Sequence, residues 1–468
     1  SVVDLTPGEG LKASFGGWSG DKKSFYVSTN ERDPATFDVF RYATDGYDRK
    51  LVFENDGRFF PGPVSRDGRW LALQQPVSSA DSDVWVANLE TGKLTHVTPH
   101  EGNIDHGIVT FTRDSAELYY STNEHSEFRQ VWSYDLESGD RRSVVEADWD
   151  VWAVYFSEEG HYRVTVVNED ASTSVTILDT ESGEEVAIPG LPMGDLAQVD
   201  FSRSEDRLAF YLTRDRAPAN LWVHELGAAG KARPLTRSLD PEMDEAHLVG
   251  SEVVRYASWD GLEIPAILWR PHGASAESPV PAVVLVHGGP GGQARRTYRA
   301  GVQHLVNQGY VVLDVNNRGS SGYGKTFFHM DDRKHGDVDL KDVVAARGYL
   351  EGLDWVDGER VAVMGGSYGG YMVGAALAFA PEAFDAGINI FGVMNWVRTL
   401  ESMPVWWGAQ RDALFDELGN PAEERERLES ISPLFHAGNI VKPLLVVQGA
   451  NDPRVLQVES DEIVEKVK

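Results

Sequence analysis

Hydrophobic and polar positions along this chain follow two different patterns. Up to about residue 248, short stretches of alternating apolar and polar residues are separated by turns rich in Asp and Gly, which is typical of antiparallel strands. From about Ser251 the apolar residues form short continuous runs that alternate with amphipathic segments, which is typical of parallel strands and helices. The pattern predicts an all-β domain followed by an α/β domain.

The first half of the chain contains an internal repeat. Each copy has an apolar or aromatic residue, then Ser or Thr, a charged turn and an apolar strand. The Ser/Thr positions are 46, 47, 45 and 45 residues apart, at Ser19, Ser65, Thr112, Ser157 and Ser202. A second apolar anchor, such as Val39-Phe40 or Val84-Trp85, follows each copy by about 20 residues. A period near 45 is typical of a four-stranded propeller blade, and the alternative is a β-sandwich with coincidental spacing.

Residues 1–248 are therefore predicted to form five blades of a β-propeller. Leu5-Thr6-Pro7 resembles Val97-Thr98-Pro99 within the repeat, so it is expected to be the tail of a further blade. An open ring would leave strand edges exposed. We expect the chain to contain only part of the ring.

The second half, residues 249–468, is predicted to form a parallel sheet with helices, after an acidic linker at 237–248. The predicted strands are Ala282–Val286, Val311–Val315, Val361–Met364, Ala386–Ile390 and Leu444–Val447. The predicted helices are Arg296–Asn307, Leu340–Glu351, Tyr368–Phe379 and Val455–Val467.

Composition and charge exclude several classes of function. The chain has no Cys, which excludes disulfides, thiol catalysis and Cys-ligated metals. Its formal net charge of −30 disfavours binding to a phosphate backbone, so no nucleic-acid partner is expected. No apolar run approaches the 18 or so residues that a membrane span requires, so no membrane association is expected.

Ser367 lies in the sharpest chemical motif of the sequence. Residues Gly365–Gly369 read G-G-S-Y-G and match G-x-S-x-G, directly after a predicted strand and before a predicted helix. In that context the small residues permit a strained turn that presents the Ser hydroxyl above a sheet. A structural Gly-rich turn is the alternative.

An acyl-transfer site also needs backbone donors for the oxyanion. The Tyr368 amide, next to Ser367, is one candidate. Residues His287-Gly288-Gly289-Pro290 follow an earlier predicted strand and are the expected source of the second donor. We interpret His287 as ordering this loop, and a role as general base is the alternative.

The acidic member of a triad is expected in the loop after a later strand. Asp452 follows the strand Leu444–Val447 and is placed to orient an imidazole. The alternative is that Asp452 only stabilises the turn in which it lies. Arg454 is either a surface cation or a donor to substrate carbonyls.

These motifs together resemble the prolyl oligopeptidase family of serine peptidases, especially its acylaminoacyl-peptidase and bacterial dipeptidyl- or oligopeptidase branches. The resemblance covers essentially the whole chain and includes two further segments, Arg318–Gly324 and Gly449–Val455. It implies a β-propeller followed by an α/β-hydrolase domain, with the propeller limiting entry to short peptides.

The resemblance also implies a role for each site residue. Ser367 is the nucleophile, Asp452 is the triad acid, and the amides of Gly289 and Tyr368 form the oxyanion hole. Arg454 binds a carbonyl of the peptide, and the Arg318–Gly324 loop shapes the site without taking part in the chemistry.

The chain differs from this family because it has no His where the family's catalytic His is expected. The family's catalytic His follows the Asp by some 30 residues or more, whereas the 16 residues after Asp452 contain none. His436, the last His, precedes the final predicted strand, so we interpret it as a loop residue and not as a displaced base. We therefore expect the chain to be a fragment, shortened at both ends and without the hydrolase domain's last strand and helix.

Three functions remain open at this point. The leading one is a serine peptidase that hydrolyses short peptides through an acyl-enzyme, slowly in this chain because the His is missing. The second is an esterase or acyl hydrolase that uses the same Ser and Asp. The third is a non-catalytic propeller scaffold with an inactive hydrolase domain.

Cofactor and specificity signals are weaker. His329, Asp331, Asp332 and His335 share a polar segment without a metal-ligand spacing, and Gly319–Gly324 lacks the Lys-Ser/Thr of a phosphate loop, so no metal and no cofactor are predicted. Glu158-Glu159 falls in a repeat turn and is interpreted as solvated. Residues 403–407 are either core or part of a specificity pocket. Localisation, oligomeric state and substrate preference stay open.

Overall fold

The structure is a computed structural model that describes residues 2–78, 81–227, 230–403 and 408–468. Its contacts define two compact units. The first comprises Ser1–Val167, Thr176–Val186 and Met403–Glu417, and the second comprises Asn168–Val175, Ala187–Ser402 and Leu418–Lys468. The domain boundary predicted at residues 248–249 stays a prediction, because contact-defined units need not coincide with domains. Most of the segment 403–407 lies outside the described residues, so its role also stays a prediction.

The β-rich half of the described chain forms five antiparallel sheets in which each strand pairs with the next along the sequence. Four sheets have four strands and the fourth in chain order has three. This organisation agrees with the blade pattern of the repeat. The strands are β1 (Ala13–Trp18), β2 (Ser24–Asp33), β3 (Thr36–Ala43), β4 (Arg49–Phe53), β5 (Phe60–Val64), β6 (Trp70–Pro76), β7 (Ser82–Asn88), β8 (Leu94–His96), β9 (His106–Phe111), β10 (Glu117–Thr122), β11 (Gln130–Asp135), β12 (Arg141–Val145), β13 (Asp150–Phe156), β14 (Tyr162–Glu169), β15 (Ser172–Asp179), β16 (Asp195–Phe201), β17 (Arg207–Arg214), β18 (Ala217–Glu225) and β19 (Arg233–Pro234).

The repeated Ser/Thr closes the first hairpin of every sheet. In each copy its hydroxyl oxygen accepts a hydrogen bond from the backbone N–H five residues later, at 3.0–3.1 Å. The charged residue of the motif completes the turn in several copies, as when the Ser65 hydroxyl donates to Asp67 at 2.6 Å. The spacing of the repeat thus follows from one local hydrogen bond that every hairpin needs.

The second half of the described chain contains a seven-stranded sheet in the order β20-β21-β23-β22-β24-β25-β26. Strands β20 and β21 are antiparallel to their neighbours, and the remaining five are parallel to one another. The strands are β20 (Ser251–Ala257), β21 (Glu263–Trp269), β22 (Val280–Val286), β23 (Val311–Val315), β24 (Val356–Gly366), β25 (Ala386–Ile390) and β26 (Leu444–Val447).

Helices follow the parallel strands, as expected for a sheet of this kind. They are α1 (Ala300–Asn307), α2 (Lys325–Phe328), α3 (Val338–Glu351), α4 (Tyr368–Phe379), α5 (Trp396–Glu401), α6 (Gly408–Leu418), α7 (Arg425–Ser430) and α8 (Gln457–Val467), with 3-10 turns at Glu245–His247 and Pro433–Asn439. Within the described residues, no helix combines the length and apolar character needed to cross a membrane.

The predicted elements of this domain are close to the observed ones, except that β24 begins five residues before the predicted Val361 and α1 begins later than predicted. Helix α1 was predicted from Arg296 but begins at Ala300. The Arg296 amide donates to the Ala171 carbonyl at 2.9 Å, and Arg299 has an extended backbone that precedes the helix. Contacts with distant residues therefore keep the first four predicted positions out of the helix. The pattern did not predict the strands β20 and β21 or the helices α2, α5, α6 and α7.

Candidate active site

The carboxyl ends of four parallel strands bring the predicted site residues to one edge of the sheet. Strands β22, β24, β25 and β26 end in register, with Val286 opposite Gly365, Gly366 opposite Ile390, and Ile390 opposite Val447. Loops that leave this edge carry Gly289, Ser367, Asp452 and Arg454. The edge is therefore where the predicted chemistry converges, as is usual in open α/β sheets.

Ser367 occupies a strained turn between β24 and α4. Its φ of 57° and ψ of −117° lie outside the regions that non-Gly residues normally adopt. The backbone is held there from both sides, because the Ser367 amide donates to the Ile390 carbonyl at 3.0 Å and the Tyr371 amide donates to the Ser367 carbonyl at 2.9 Å. This is the local geometry that the G-x-S-x-G pattern predicts.

The glycine after the turn allows α4 to lie against the end of β22. A Cβ atom on Gly369 would lie 2.0 Å from the Val286 carbonyl oxygen and 2.8 Å from that of His287. These contacts involve backbone atoms, which cannot move aside as a flexible side chain can. Gly369 is therefore required by close packing and not by a left-handed backbone.

The 287–292 loop passes close to Ser367. A Cβ atom on Gly288 would lie only 3.5 Å from the Ser367 Cβ, so the backbone leading into Gly289 lies beside the nucleophile candidate. In His287, Nδ1 is 2.9 Å from the Gly288 carbonyl oxygen and Nε2 is 2.8 Å from the Ser320 hydroxyl oxygen. Burial lowers the pKa of His287. One ring nitrogen contacts this loop and the other contacts the Arg318–Gly324 loop, which favours a role in ordering the loops over a role as base.

Asp452 lies in the turn that follows β26. Its Oδ1 accepts hydrogen bonds from the amides of Arg454 and Val455 at 2.9 and 3.0 Å. In the described part of the chain no donor is bonded to Oδ2, so this second oxygen is available to an imidazole N–H. The turn interpretation and the triad interpretation of Asp452 are thus compatible. Arg454 is exposed at the same turn.

His436 lies at the opposite end of the α4 helix from Ser367. Its ring packs edge-on against Phe379, the last residue of α4, with centroids 5.0 Å apart. A helix of 12 residues is about 18 Å long. His436 is therefore too far from Ser367 to act as its base.

Arg318 fixes the second Gly-rich loop to the α/β core. Its guanidinium makes two hydrogen bonds of 2.8 Å with the Asp342 carboxylate, and its amide donates to the same carboxylate at 2.9 Å. Two longer bonds, of 3.0 and 3.1 Å, go to Asp260. The Ser320 hydroxyl in this loop donates to the Asn317 carbonyl and contacts His287. Arg318 thus fixes the position of the loop that contacts His287.

The Tyr368 side chain belongs to a buried polar network that the sequence did not predict. The hydroxyl donates to Asp339 Oδ2 at 2.5 Å and lies 2.7 Å from His335 Nδ1. Asp331 Oδ2 is 3.3 Å from the same His nitrogen. All four side chains are at most 3% exposed. Tyr368 and its partners are 29 and 33 residues apart along the chain, so no local motif signals the contact.

Three members of this network also qualify geometrically as metal ligands. One ligand atom each from Asp331, His335 and Asp339 lie within 4.8 Å of one another. The short hydrogen bonds to the Tyr368 hydroxyl already engage Asp339 Oδ2 and His335 Nδ1. These bonds favour a hydrogen-bond network over a metal site.

Burial determines the protonation of this network. Burial raises the pKa of Asp339 to about 6, although hydrogen bonds from Tyr368, Leu340 and Gly336 act in the opposite direction. It lowers the pKa of His335 to about 4, so the imidazole is neutral at pH 7. Burial also raises the pKa of the Tyr368 hydroxyl well above its usual value. At pH 7 the network therefore contains a carboxylate that receives a hydrogen bond from a neutral phenol.

The raised pKa of Asp339 leads to a prediction about stability and pH. The native carboxyl keeps its proton up to about pH 6, whereas the unfolded one loses it near pH 4. The contribution of the Asp339 carboxyl to the free energy of unfolding is therefore complete below about pH 4 and is lost as the pH rises to about 6. The loss amounts to about 3 kcal/mol. Asp339→Asn should remove this pH dependence. The difference between the melting temperature of the variant and that of wild type should therefore rise between pH 4 and pH 7.

Asp337→Asn is the matched control for this measurement. Asp337 lies two residues earlier, is 60% exposed and pairs with Lys341 at the surface. Its difference from wild type should stay constant over the same pH range. A constant difference for Asp339→Asn as well would show that the buried carboxyl is ionised throughout.

Two family models match the chain. Residues 8–215 match the N-terminal beta-propeller domain of prolyl oligopeptidase, and residues 296–468 match the prolyl oligopeptidase family. The two matches fall on the β-rich half and on the α/β half of the sequence, respectively. They agree with the fold described above.

Individual proteins show the same similarity. Dipeptidyl aminopeptidase BIII of Pseudoxanthomonas mexicana is 29% identical over 99% of this chain and 69% of its own length. Dipeptidyl peptidase family member 6 of Caenorhabditis elegans is 39% identical over 40% of this chain, but this chain spans only 26% of that protein. The structure of a puromycin-hydrolyzing peptidase from Mycobacterium tuberculosis matches with a TM-score of 0.82 at 22% identity, covering 98% of this chain and 73% of that one. At that identity the structural match shows the fold alone.

Proposed function

Because the chain belongs to the prolyl oligopeptidase family of serine peptidases, we propose that Ser367 is the nucleophile of a peptidase that cleaves short peptides through an acyl-enzyme. The observation that carries the proposal is the backbone of Ser367, whose φ of 57° and ψ of −117° belong to a strained strand-to-helix turn. Such strain persists where surrounding contacts hold it, and it is frequent at active sites.

The proposed reaction begins with attack of the Ser367 oxygen on the scissile carbonyl carbon. The Ser proton passes to a base, the carbonyl oxygen becomes an oxyanion, and the amides of Gly289 and Tyr368 donate to it. Collapse of the tetrahedral intermediate expels the amine, which receives the proton, and leaves an ester on Ser367. Water then hydrolyses the ester by the same steps.

Asp452 is proposed to orient the base through its Oδ2 oxygen. Its Oδ1 oxygen is fixed by two backbone amides, which supports a carboxylate of defined direction. Arg454, exposed on the same turn, is proposed to donate to a backbone carbonyl of the bound peptide. Residues 453–468 contain no His, so we expect a polypeptide limited to residues 1–468 to acylate slowly.

The proposal is tested by covalent labelling and substrate comparison. A fluorophosphonate probe should give one adduct, located on Ser367 by peptide mass spectrometry, and Ser367→Ala should abolish it. Short peptide p-nitroanilides should then be cleaved in preference to short-acyl p-nitrophenyl esters and to casein. Preference for the esters would favour the acyl hydrolase, and absence of any Ser367 adduct would favour the non-catalytic scaffold.

A further inference from the structure

The strained Ser367 turn needs contacts that hold it in place. A backbone in this region is less favourable than a relaxed one and persists only where the surrounding structure holds it. Tyr368, the first residue of α4, is the only residue between the strained position and Gly369, which is packed under β22. Any contact that fixes Tyr368 therefore also limits relaxation of the turn.

The Tyr368 hydroxyl links α4 to the start of α3. It donates to Asp339 Oδ2, and the other oxygen of that carboxylate accepts from the amides of Gly336 and Leu340 at 2.7 and 2.8 Å. His335 contacts the same hydroxyl from the segment that leads into α3. The phenol is thus tied to the backbone of a second element through a single carboxylate.

Aromatic packing fixes the plane of the Tyr368 ring. The ring lies 5.3 Å from Tyr371, 5.7 Å from His335 and 6.0 Å from Trp396, measured between centroids. With the plane fixed by these neighbours and the hydroxyl fixed by Asp339, the ring has little freedom to move. The backbone amide at its other end is then equally restricted.

We infer that Asp339 and His335 are positioning residues that hold the Tyr368 amide where the oxyanion develops. The inference rests on the proposed function, because it assumes that this amide stabilises the reacting carbonyl. Preorganised donors act strongly because they need no reorganisation during the reaction. Loss of the phenol hydroxyl should therefore slow bond formation at Ser367 without weakening the initial binding of the reagent.

The test separates binding from bond formation in the reaction of Ser367 with a fluorophosphonate, with imidazole in the buffer as base. Mass spectrometry of the whole chain at several probe concentrations gives the rate constant at saturation and the concentration for half saturation. For Tyr368→Phe we expect the rate constant to fall about tenfold, as for loss of one hydrogen bond to a charged group. The half-saturating concentration and the final labelled fraction should stay unchanged. Asp339→Asn should behave similarly.

Tyr371→Phe is the matched control. Tyr371 lies on the same helix, is as deeply buried, and stacks near the same rings, and it also loses only a hydroxyl in this variant. Its rate constant should stay within about twofold of wild type. An equal decrease in both variants would mean that the effect is one of packing and would overturn the inference.

The remaining outcomes distinguish this inference from the proposed function. Labelling of Ser367 at the wild-type rate in Tyr368→Phe would overturn the inference and leave the proposed function standing. No labelling of Ser367 in wild type would overturn the proposed function. One equivalent of divalent metal in the purified wild-type chain, absent from Asp339→Asn, would identify the cluster as a metal site and would also overturn the inference.

Discussion

Added imidazole is expected to speed the phosphonylation of Ser367 by about tenfold or more, whereas Ser367→Ala stays unlabelled at any concentration. A positioned general base contributes a factor of about 10² to 10⁴. Free imidazole recovers only part of this rate factor, because it must first be bound and oriented. The expectation applies to a polypeptide limited to residues 1–468, which has the strained Ser367 turn and no His among residues 453–468.

The base can be examined further with 1-methylimidazole, which has similar basicity but only one nitrogen able to bind a proton. Imidazole can accept the Ser367 proton and donate its own N–H to Asp452 Oδ2, whereas the methylated base cannot do both. Imidazole should therefore be the better activator, and Asp452→Ala should remove its advantage. Equal activation by both bases in wild type would contradict the role of Asp452 as the orienting acid.

The same reasoning predicts an unusual result for turnover. Triad residues act as a unit, so removing a second member costs little once the first is missing. Without imidazole, Ser367→Ala should reduce slow peptide hydrolysis only modestly, although it abolishes labelling. With imidazole present, the two proteins should differ by the full activation factor. The measurement is p-nitroanilide hydrolysis by both proteins with and without imidazole.

The parts of the structure that the sequence predicted are those encoded locally. The Ser/Thr of the 45-residue repeat is recognisable because each hairpin needs its hydrogen bond to the residue five positions later. Ser367 is recognisable because its turn needs small residues on both sides. The register of the parallel strands then follows from the apolar runs, which place Asp452 at the same edge as Ser367.

The parts that the sequence did not predict depend on contacts between distant residues. The sequence indicates a role only for the Tyr368 amide, because nothing near Tyr368 along the chain shows that Asp339 lies against its hydroxyl. The sequence places His335 and His329 in one polar segment, but in the structure His329 pairs with Asp332 and His335 contacts Tyr368. Likewise, the start of α1 is set by Ala171, more than a hundred residues away.

Arg318→Met is expected to destabilise the second unit by about 3 kcal/mol or more, which lowers its melting temperature by roughly 6–12 °C. Asp342 is completely buried, and among the described residues only the Arg318 amide and the Ser258 hydroxyl would still donate to its carboxylate in the variant. Removing one partner of a buried ion pair is costly because the other charge stays buried and uncompensated. Hydrogen exchange at β22 and β23 would assign the transition to this unit.

A second substitution separates the charge from the packing of Arg318. Asp342→Asn in the Arg318→Met background removes the buried charge but keeps an acceptor for the Ser258 hydroxyl, so it should restore at least half of the lost stability. Arg360→Met is the surface control, because its pair with Asp357 is 60% and 28% exposed and such pairs contribute at most about 1 kcal/mol. If Arg318→Met lowered the melting temperature no more than Arg360→Met, the ion pair would not be what anchors the Ser320 loop, and the position of His287 would have to depend on other contacts.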